Sequence, residues 1–378
     1  MFYQNAMIFT PDFTFRLGGF SVENGRFAQV FGEIPASATD LGGAYVIPGL
    51  VDVHNHGNSG MDFSDGKPEG LETMARYLAQ NGVTSFAPAS MTLPYGVLAK
   101  AFATARTLHD HRPQDCARLM GIQMEGPFFS AKKKGAQNGA YLQNPDYEAF
   151  RQLQEDCGGL IRIVDVAPEL PGAVEFTQKA KLLCTVSVAH TDADYDAAKA
   201  VFDAGATHLT HLYNAMPGIH HRNPGVIPAA AEQESVRAEL ICDGMHVHPA
   251  SVRLAFRMFG PERMILISDA LRCCGMPDGQ YELGGQQVYL SGGVARLADG
   301  TIAGSAANLY QCMRNAVSFG IPLADAVRAA TWNPACAIGA QAEIGSIEPG
   351  KLADFVICGP DLTRKAVFLG GVPVSGAV

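Results

Sequence analysis

Short apolar runs alternate with amphipathic stretches through the middle of the chain. Eight of these runs are candidate β-strands, at residues 45–53, 84–87, 119–125, 161–167, 185–189, 208–212, 238–241 and 264–268. Between them, apolar side chains recur at helical spacing, as at Leu71, Met74 and Leu78. Strands of continuous apolar character that alternate with helices predict a parallel sheet buried on both faces.

The number of strand–helix units favours a closed sheet over an open one. Eight units in succession are typical of a (β/α)8, TIM-like barrel. A doubly wound sheet that binds nucleotides is expected to carry a GxGxxG or a GxxxxGK(S/T) loop, and the sequence contains neither. The predicted fold class is therefore α/β, with a barrel as the catalytic domain at residues 46–339.

The two ends of the chain have a different pattern, of short strands separated by tight turns. Asn24-Gly25 and Gly370-Gly371 are typical of two-residue hairpin turns between strands. Because the termini of a domain often lie close together, we expect both ends to join. The prediction is a small β-sandwich domain built from residues 1–45 and 340–378.

Composition excludes several classes of function. The net charge is −9, which argues against binding to nucleic acid or to an anionic membrane surface. No apolar run reaches the length of a membrane helix, and no signal peptide is visible at the start of the sequence. Nine scattered cysteines without a CxxC motif predict reduced thiols in a cytoplasmic protein.

Polar residues of one chemical kind stand at the ends of the predicted strands. In a barrel, the carboxyl ends of the strands form one rim, where catalytic residues lie. Imidazole together with carboxylate is a ligand set for Zn²⁺ or Fe²⁺ that leaves a position open for water. The candidates at this rim are His54, His56, Glu125, His190, His211 and Asp269.

Each of these residues also has a structural interpretation. A single histidine at a strand end is more often a hydrogen-bonded structural residue than a ligand. His208 precedes His211 by three residues and faces the other way along a strand, so we interpret it as structural. Histidines and carboxylates at five strand ends of one rim are hard to explain as structural residues alone. Together they predict a divalent metal site.

Seven motifs along the chain resemble one known family. They are PGLVDVHNHG, MEGPFFSAKKKGAQN, AHTDA, THLYNAMPGIHHRNPG, DGMHV, ISDA and IGSIEPGKLADFVI, in this order. Together they resemble the N-acetylglucosamine-6-phosphate deacetylases of the amidohydrolase superfamily. The resemblance implies hydrolysis of the acetamide of N-acetylglucosamine 6-phosphate to glucosamine 6-phosphate and acetate.

The resemblance also implies roles for individual residues. Glu125, His190 and His211 would hold one metal ion, and His54 and His56 would add a second, so that one or two ions are expected. Zn²⁺ is the first choice, with Fe²⁺, Mn²⁺ or Co²⁺ as alternatives. Asp269 would move the proton between the attacking water and the leaving nitrogen. The implied substrate-binding residues are Ala136, Gln137, Asn214, Ala215, Arg222, His246, Ile302, Ala303 and Gly304.

Two points about the partners follow from the same resemblance. Arg222 matches an arginine that reaches the phosphate from a neighbouring subunit, which implies a homodimer. Gln137 stands where the motif often has a sugar-binding histidine, so the preferred sugar stays open. The alternatives are a deacetylase for N-acetylgalactosamine 6-phosphate or a related sugar, and an inactive paralogue that only binds sugar phosphate.

Overall fold

A parallel sheet forms the centre of the molecule. The computed structural model describes residues 1–33 and 35–376. Six strands pair in chain order: Ile122–Met124, Ile161–Val166, Thr185–Val188, His208–Leu209, Arg237–Ile241 and Met264–Ile267. A second group consists of Leu50–Asp52, Val83–Phe86 and Arg118–Leu119. A parallel bridge between Ala89 and Gln123 joins the two groups. The predicted α/β class with a parallel sheet is confirmed.

The sheet curls, and its first and last strands approach each other. The Asp269 amide, which follows the last strand, donates a hydrogen bond of 2.9 Å to the carbonyl oxygen of His54, which follows the first. The Asp52 carboxylate accepts a hydrogen bond of 2.6 Å from the Ser268 hydroxyl. These contacts bring the first and the last of the predicted strand ends together.

Three of the predicted strands are shorter or interrupted. Residues 45–53 divide into Tyr45–Pro48 and Leu50–Asp52, which belong to different sheets. The break falls at Gly49, where a Cβ atom would lie 2.0 Å from the Thr84 hydroxyl oxygen. Residues 119–125 are interrupted at positions 120 and 121. The prediction of one strand at 208–212 was too long, because His211 adopts the left-handed conformation (φ 32°).

Strands from both ends of the chain form a second sheet. Its order is Val372–Gly376, Arg364–Leu369, Phe355–Cys358, Tyr45–Pro48, Phe2–Phe9, Phe15–Glu23 and Arg26–Val30, with Thr39–Asp40 beside Phe2–Phe9. Asn24 and Gly25 both have positive φ, of 50° and 78°, as the predicted hairpin requires. Ile34, Ala377 and Val378 fall within the predicted terminal segments and lie outside the described residues.

Helices connect the strands of the parallel sheet. Several begin at a side chain that caps the first turn: Asp194 accepts from the Ala197 amide at 2.9 Å, and Asn308 accepts from the Gln311 amide at 2.9 Å. The helices are Pro68–Gln80, Tyr95–Asp110, Tyr147–Asp156, Ala173–Ala180, Tyr195–Ala204, Val226–Ala231, Pro249–Phe259, Leu309–Ser318, Leu323–Ala330 and Trp332–Ala337. Short 3₁₀ turns are found at Phe63–Asp65, Ala131–Lys133 and Gly139–Tyr141. Within the described ranges, no helix is both long and apolar enough to cross a membrane.

An antiparallel sheet that the sequence analysis did not predict follows the last parallel strand. Its four strands are Gly279–Leu283, Gln286–Ser291, Val294–Leu297 and Ile302–Ser305. Its last strand is bridged to the parallel sheet by the pair Ala270 and Ser305. A two-stranded ribbon, Gly57–Asn58 with Met61–Asp62, lies after the first parallel strand.

The interior of the curled sheet is partly polar. On strand Ile161–Val166, Val164 and Val166 pack in the main hydrophobic cluster, whereas Asp165 points to the other face, because side chains alternate along a strand. We call the buried polar side chains on this inner face the interior polar layer. It comprises Asp52, Gln123, Asp165, Ser187, Thr210 and Glu239.

Candidate active site

The predicted ligands stand immediately after parallel strands, at one rim of the sheet. Three of the rim residues have left-handed backbones, with φ of 44° at His190, 32° at His211 and 47° at Asp269. Side chains other than glycine rarely adopt this conformation, and it is often found at functional sites. Hydrogen bonds hold it in place at Asp269, whose carbonyl oxygen accepts from the Ser305 amide at 2.8 Å.

Glu125 is the centre of the site. Its Oε1 atom lies 3.1 Å from His190 Nε2 and 3.3 Å from His211 Nε2. The second pair of histidines lies on its other side: His54 Nε2 is 3.6 Å from Oε1, and His56 Nε2 is 3.5 Å from Oε2. The structure therefore brings all five predicted ligands together, with the four histidines around the carboxylate of the fifth, Glu125.

The opposite ring nitrogens of three histidines are fixed by hydrogen bonds. His190 Nδ1 donates to the Lys133 carbonyl oxygen at 2.9 Å, and His56 Nδ1 donates to the Ala89 carbonyl oxygen at 3.2 Å. A carbonyl oxygen can only accept, so both rings carry a proton on Nδ1. His54 Nδ1 donates to Glu239 at 2.9 Å. In the neutral rings, the Nε2 lone pairs are then directed towards Glu125.

This donor set fits a divalent metal ion. Two groups of three ligand atoms lie within 4.8 Å of one another, His54 with His56 and Glu125, and Glu125 with His190 and His211. His54 Nε2 is buried and has no hydrogen-bond partner, while His190 Nε2 and His211 Nε2 lie 3.1 Å apart. Buried lone pairs that face one another repel, and a bound cation between them would remove this repulsion.

The electrostatics of the site favour ionised carboxylates. Burial alone would raise the pKa of Glu125, but the neighbouring histidines, His190 and His211 above all, outweigh it and hold that pKa well below its usual value. Burial also opposes ionisation of Asp269, yet His56 and His54 lower its pKa below the usual value. Both groups are therefore carboxylates at neutral pH.

Asp269 lies beside the ligands, in the same cavity. Its Oδ1 atom is 3.4 Å from His56 Nε2 and 3.7 Å from His54 Nε2. His246 also faces this cavity, and its Nδ1 donates to Asp243 at 2.7 Å. Asp243 in turn accepts hydrogen bonds from the amides of Met245 and His246, at 2.9 Å each. The Asp269 carboxylate and an imidazole oriented by Asp243 thus share one cavity.

Most predicted substrate-binding residues line this cavity. They are Ala136, Gln137, Asn214, Ala215, His246, Ile302 and Ala303. Met91, Gly135 and Thr301, which were not predicted, line it as well. Gly304 is not among the lining residues. A Cβ atom there would be 3.1 Å from the Asp269 carbonyl oxygen, so glycine permits this close approach of two backbones.

The side chain of Gln137 is already engaged at both ends. Its Nε2 donates to Glu125 Oε2 at 2.6 Å, and its Oε1 accepts from the Thr92 amide at 2.7 Å. The residue is buried at 3% exposure. It therefore orients the central carboxylate here, and its predicted contact with a sugar stays a prediction.

Arg222 is not among the residues that line the cavity. It lies in an exposed loop, where its guanidinium is 2.8 Å from His221 Nε2 and its amide donates to His220 Nδ1 at 3.4 Å. Within one chain, the structure does not bring this predicted residue to the rim.

Two acidic residues near the site were missed by sequence reasoning. Glu239 bonds His54 and His208, and Asp243 bonds His246. The signal for Glu239 was present, since it is a lone charge within the apolar run 238–241. His208 is buried on the strand and bonds Glu239 at 2.9 Å, in agreement with its structural interpretation.

Known proteins resemble this chain over most of its length. N-acetylglucosamine-6-phosphate deacetylase from Bacillus subtilis (strain 168) is 38% identical, over 87% of this chain and 83% of its own. N-acetylgalactosamine-6-phosphate deacetylase from Escherichia coli O157:H7 is 35% identical, over 89% of this chain and 90% of its own.

A solved structure gives the same result for the fold. It is an aspartate-to-alanine mutant of N-acetyl-D-glucosamine-6-phosphate deacetylase from Mycobacterium smegmatis, in complex with N-acetyl-D-glucosamine-6-phosphate. It superposes with a TM-score of 0.93 at 34% identity and covers 99% of both chains. Residues 45–374 match the model of the amidohydrolase family. The chain belongs to the amidohydrolase family.

Proposed function

We propose that the protein hydrolyses the acetamide of N-acetyl-D-glucosamine 6-phosphate to D-glucosamine 6-phosphate and acetate. The observation that carries this proposal is the convergence of four histidine rings on Glu125, with Asp269 beside them. The names of the relatives support it, because they are deacetylases of amino-sugar phosphates.

The metal would be held at two positions that share Glu125. His190 and His211 complete one position, and His54 and His56 complete the other. Zn²⁺ is the first choice for imidazole and carboxylate ligands, and Fe²⁺, Mn²⁺ and Co²⁺ are the alternatives. When bound, such an ion lowers the pKa of water towards neutrality and polarises the amide carbonyl.

Asp269 would be the general base and then the general acid. Its low pKa keeps it ionised at neutral pH, and the ionised form is the one that can accept a proton from the attacking water. The same carboxyl group then delivers that proton to the amide nitrogen, which leaves poorly without it. The hydrogen bonds at its backbone nitrogen and oxygen hold it at the rim for both transfers.

Other cavity residues would bind the substrate. His246, held by Asp243, is placed to contact the sugar or the carbonyl oxygen. The remaining candidate contacts that line the cavity come from residues 136, 137, 214, 215, 302 and 303, on three different loops or strands. Gln137 also hydrogen-bonds Glu125, so it would hold this carboxylate beside the bound sugar.

The galactosamine epimer is the second candidate substrate. It is supported by the similarity of this chain to a protein from Escherichia coli O157:H7 that is named N-acetylgalactosamine-6-phosphate deacetylase. The test is acetate release by the purified, Zn²⁺-loaded protein from the two N-acetylhexosamine 6-phosphates. A higher kcat/KM for the glucosamine compound supports the proposal, and a higher value for the galactosamine compound replaces it. No turnover of either compound would indicate the inactive sugar-phosphate binder.

A homodimer would complete the phosphate site. Arg222 is exposed, and a guanidinium binds phosphate well. We expect Arg222→Ala to raise KM for the phosphorylated sugar by about 10–100-fold, since hydrogen bonds to charged groups contribute about 1.5–3 kcal/mol, and to leave metal content unchanged. Mixed dimers then test the crossing between subunits. Pairing an Arg222→Ala subunit with an Asp269→Asn subunit should preserve one fully formed site only if Arg222 reaches the active site of the neighbouring subunit.

The fold that accompanies this function would be a closed (β/α)8 barrel with a small β domain. The approach of Asp52 to Ser268 supports closure of the curled sheet. The pairing of Tyr45–Pro48 with Phe355–Cys358 supports a β domain from residues 1–45 and 340–378 around a catalytic domain at 46–339. The free state of the described cysteines and the small-molecule substrate are consistent with a cytoplasmic location.

A further inference from the structure

Glu239 is a buried carboxylate to which the proposed reaction gives no role. It lies on strand Arg237–Ile241 between the apolar residues Ala238 and Leu240, and it is 0% exposed. Burying an ionisable group costs free energy unless its partners compensate for the lost water. Its partners therefore indicate what it does.

Both oxygens of this carboxylate are occupied. Oε2 accepts from His54 Nδ1 at 2.9 Å and from the His211 amide at 3.2 Å. Oε1 accepts from His208 Nε2 at 2.9 Å. The carbonyl oxygen of Glu239 also accepts from the Leu212 amide at 2.8 Å. Two of the three donors to its side chain thus belong to candidate metal ligands.

These contacts determine how the two ligands are presented. Because His54 donates its Nδ1–H to Glu239, the ring presents Nε2 towards Glu125 and Asp269, at 3.6 and 3.7 Å. The backbone of His211 is left-handed, and the hydrogen bonds that the amides of His211 and Leu212 donate to Glu239 hold this turn. One residue therefore constrains a ring on one side of the site and a backbone on the other.

We propose that Glu239 is a positioning residue that holds His54 and His211 in their metal-binding orientations and so links the two ion positions. His54 belongs to one group of ligands and His211 to the other. The inference rests on the metal site of the proposed function but not on the identity of the substrate.

Asp165 provides a matched comparison within the interior polar layer. It is also 0% exposed, and it is also a strand carboxyl on the inner face of the sheet. Its partners are the Gln123 amide, at 3.2 and 3.3 Å, and the Thr210 hydroxyl, at 3.2 Å. Since it bonds no ligand side chain, Asp165→Asn removes a buried carboxyl without touching His54.

The test is Zn²⁺ affinity, measured without substrate by competition with a chromophoric chelator. Glu239→Gln keeps the shape of the side chain but cannot accept from His54, His208 and the His211 amide together. Loss of such a partner typically costs about 10–100-fold in metal affinity, which is the expected effect here. Asp165→Asn should stay within about threefold of the wild type, because it alters no partner of a ligand. At saturating Zn²⁺, the kcat of Glu239→Gln should return to near the wild-type value.

Three results would overturn the inference. Unchanged affinity in Glu239→Gln is the first, and equal weakening in Glu239→Gln and Asp165→Asn, which would indicate a general effect of burial, is the second. If circular dichroism shows that Glu239→Gln does not fold, Glu239→Asp takes its place, since its shorter side chain cannot span His54 and His208. Wild-type affinity in Glu239→Asp is the third. A wild-type protein that binds no Zn²⁺ would overturn the proposed function as well.

Discussion

The carboxyl groups at the rim of the parallel sheet and those in its interior are similarly buried, yet their pKa values shift in opposite directions. At the rim, histidines outweigh the effect of burial and lower the pKa of Glu125 and of Asp269. In the interior, burial raises the pKa of Asp52 to about 7 and raises that of Asp165 well above its usual value. The partners of a buried carboxyl group, rather than its burial, therefore determine whether it is charged.

Glu239 shows that the direction of the pKa shift depends on the hydrogen-bond partners of the carboxyl group and not on how deeply it is buried. It lies in the interior polar layer and is as buried as Asp165. Burial opposes its ionisation, but His54 and His208 lower its pKa to about 2. Glu239 thus lies in the interior, but its pKa is lowered by histidines as at the rim. Its hydrogen bond with His54 connects the two regions.

The largest expected effect is at the rim. Asp269→Asn retains the shape of the side chain but cannot accept a proton, so kcat should fall by about 10²–10⁴-fold, the range typical of general acid–base catalysis. Substrate binding should survive, because the candidate sugar contacts are made by other residues.

The measurement is kcat together with bound metal, with and without added Zn²⁺. An Asp269 that only positions or binds a metal ion would be rescued by excess metal. Recovery of kcat to within about tenfold of the wild type would therefore exclude the proton-transfer role.

The next effect concerns the metal itself. Full loading should give two Zn²⁺ ions per chain, and a variant with His54→Asn and His56→Asn should keep one, because Glu125, His190 and His211 remain. At a free metal concentration one hundred times Kd, each site adds about 2.7 kcal/mol to the free energy of unfolding.

Elemental analysis and thermal unfolding at matched metal concentrations measure these two quantities. Removal of Zn²⁺ by a chelator should lower Tm and abolish turnover, and added Zn²⁺ should restore both. A single ion in the fully loaded wild type would contradict the two-ion site.

The sequence predicted the rim better than the interior. His54, Glu125 and Asp269 each interrupt an apolar run at its end, so pattern and residue type together located them. Glu239 stands inside such a run, and its contact with His54 depends on how the first strand and the strand Arg237–Ile241 face each other across the interior. Sequence periodicity carries no information about which residues of two distant strands come into contact.

Missed or misplaced strands have a similar cause. The sheet formed by residues 279–305 has hairpin turns at Gly284-Gly285 and Gly292-Gly293, all with positive φ, but its strands are short and partly exposed. The division of residues 45–53 between two sheets depends on partners that are distant in sequence, since Tyr45–Pro48 pairs with Phe355–Cys358. Local pattern predicts that a strand exists and does not predict which sheet it joins.

The smallest expected effect is in the interior, where Asp165 tests the other side of the comparison. Its pKa is raised well above 3.8, mainly by burial, so the folded protein keeps this proton while the unfolded chain releases it above about pH 4. The unfolded state is then favoured as pH rises from about 4 towards the raised pKa, and the wild type loses stability across that window. Asp165→Asn has no proton to lose.

The free energy of unfolding of Asp165→Asn, relative to the wild type, should therefore increase with pH. One proton contributes up to about 1.4 kcal/mol per pH unit, and we expect a gain of about 1 kcal/mol between pH 5 and pH 6. Urea unfolding of both metal-free proteins at the two pH values measures this gain. Both proteins carry the same titratable groups at the rim, so the contribution of those groups cancels in the difference. A difference that stays constant or falls with pH would mean that Asp165 is charged in the fold. Asp165, which accepts no hydrogen bond from a histidine, would then no longer contrast with Glu125 and Asp269.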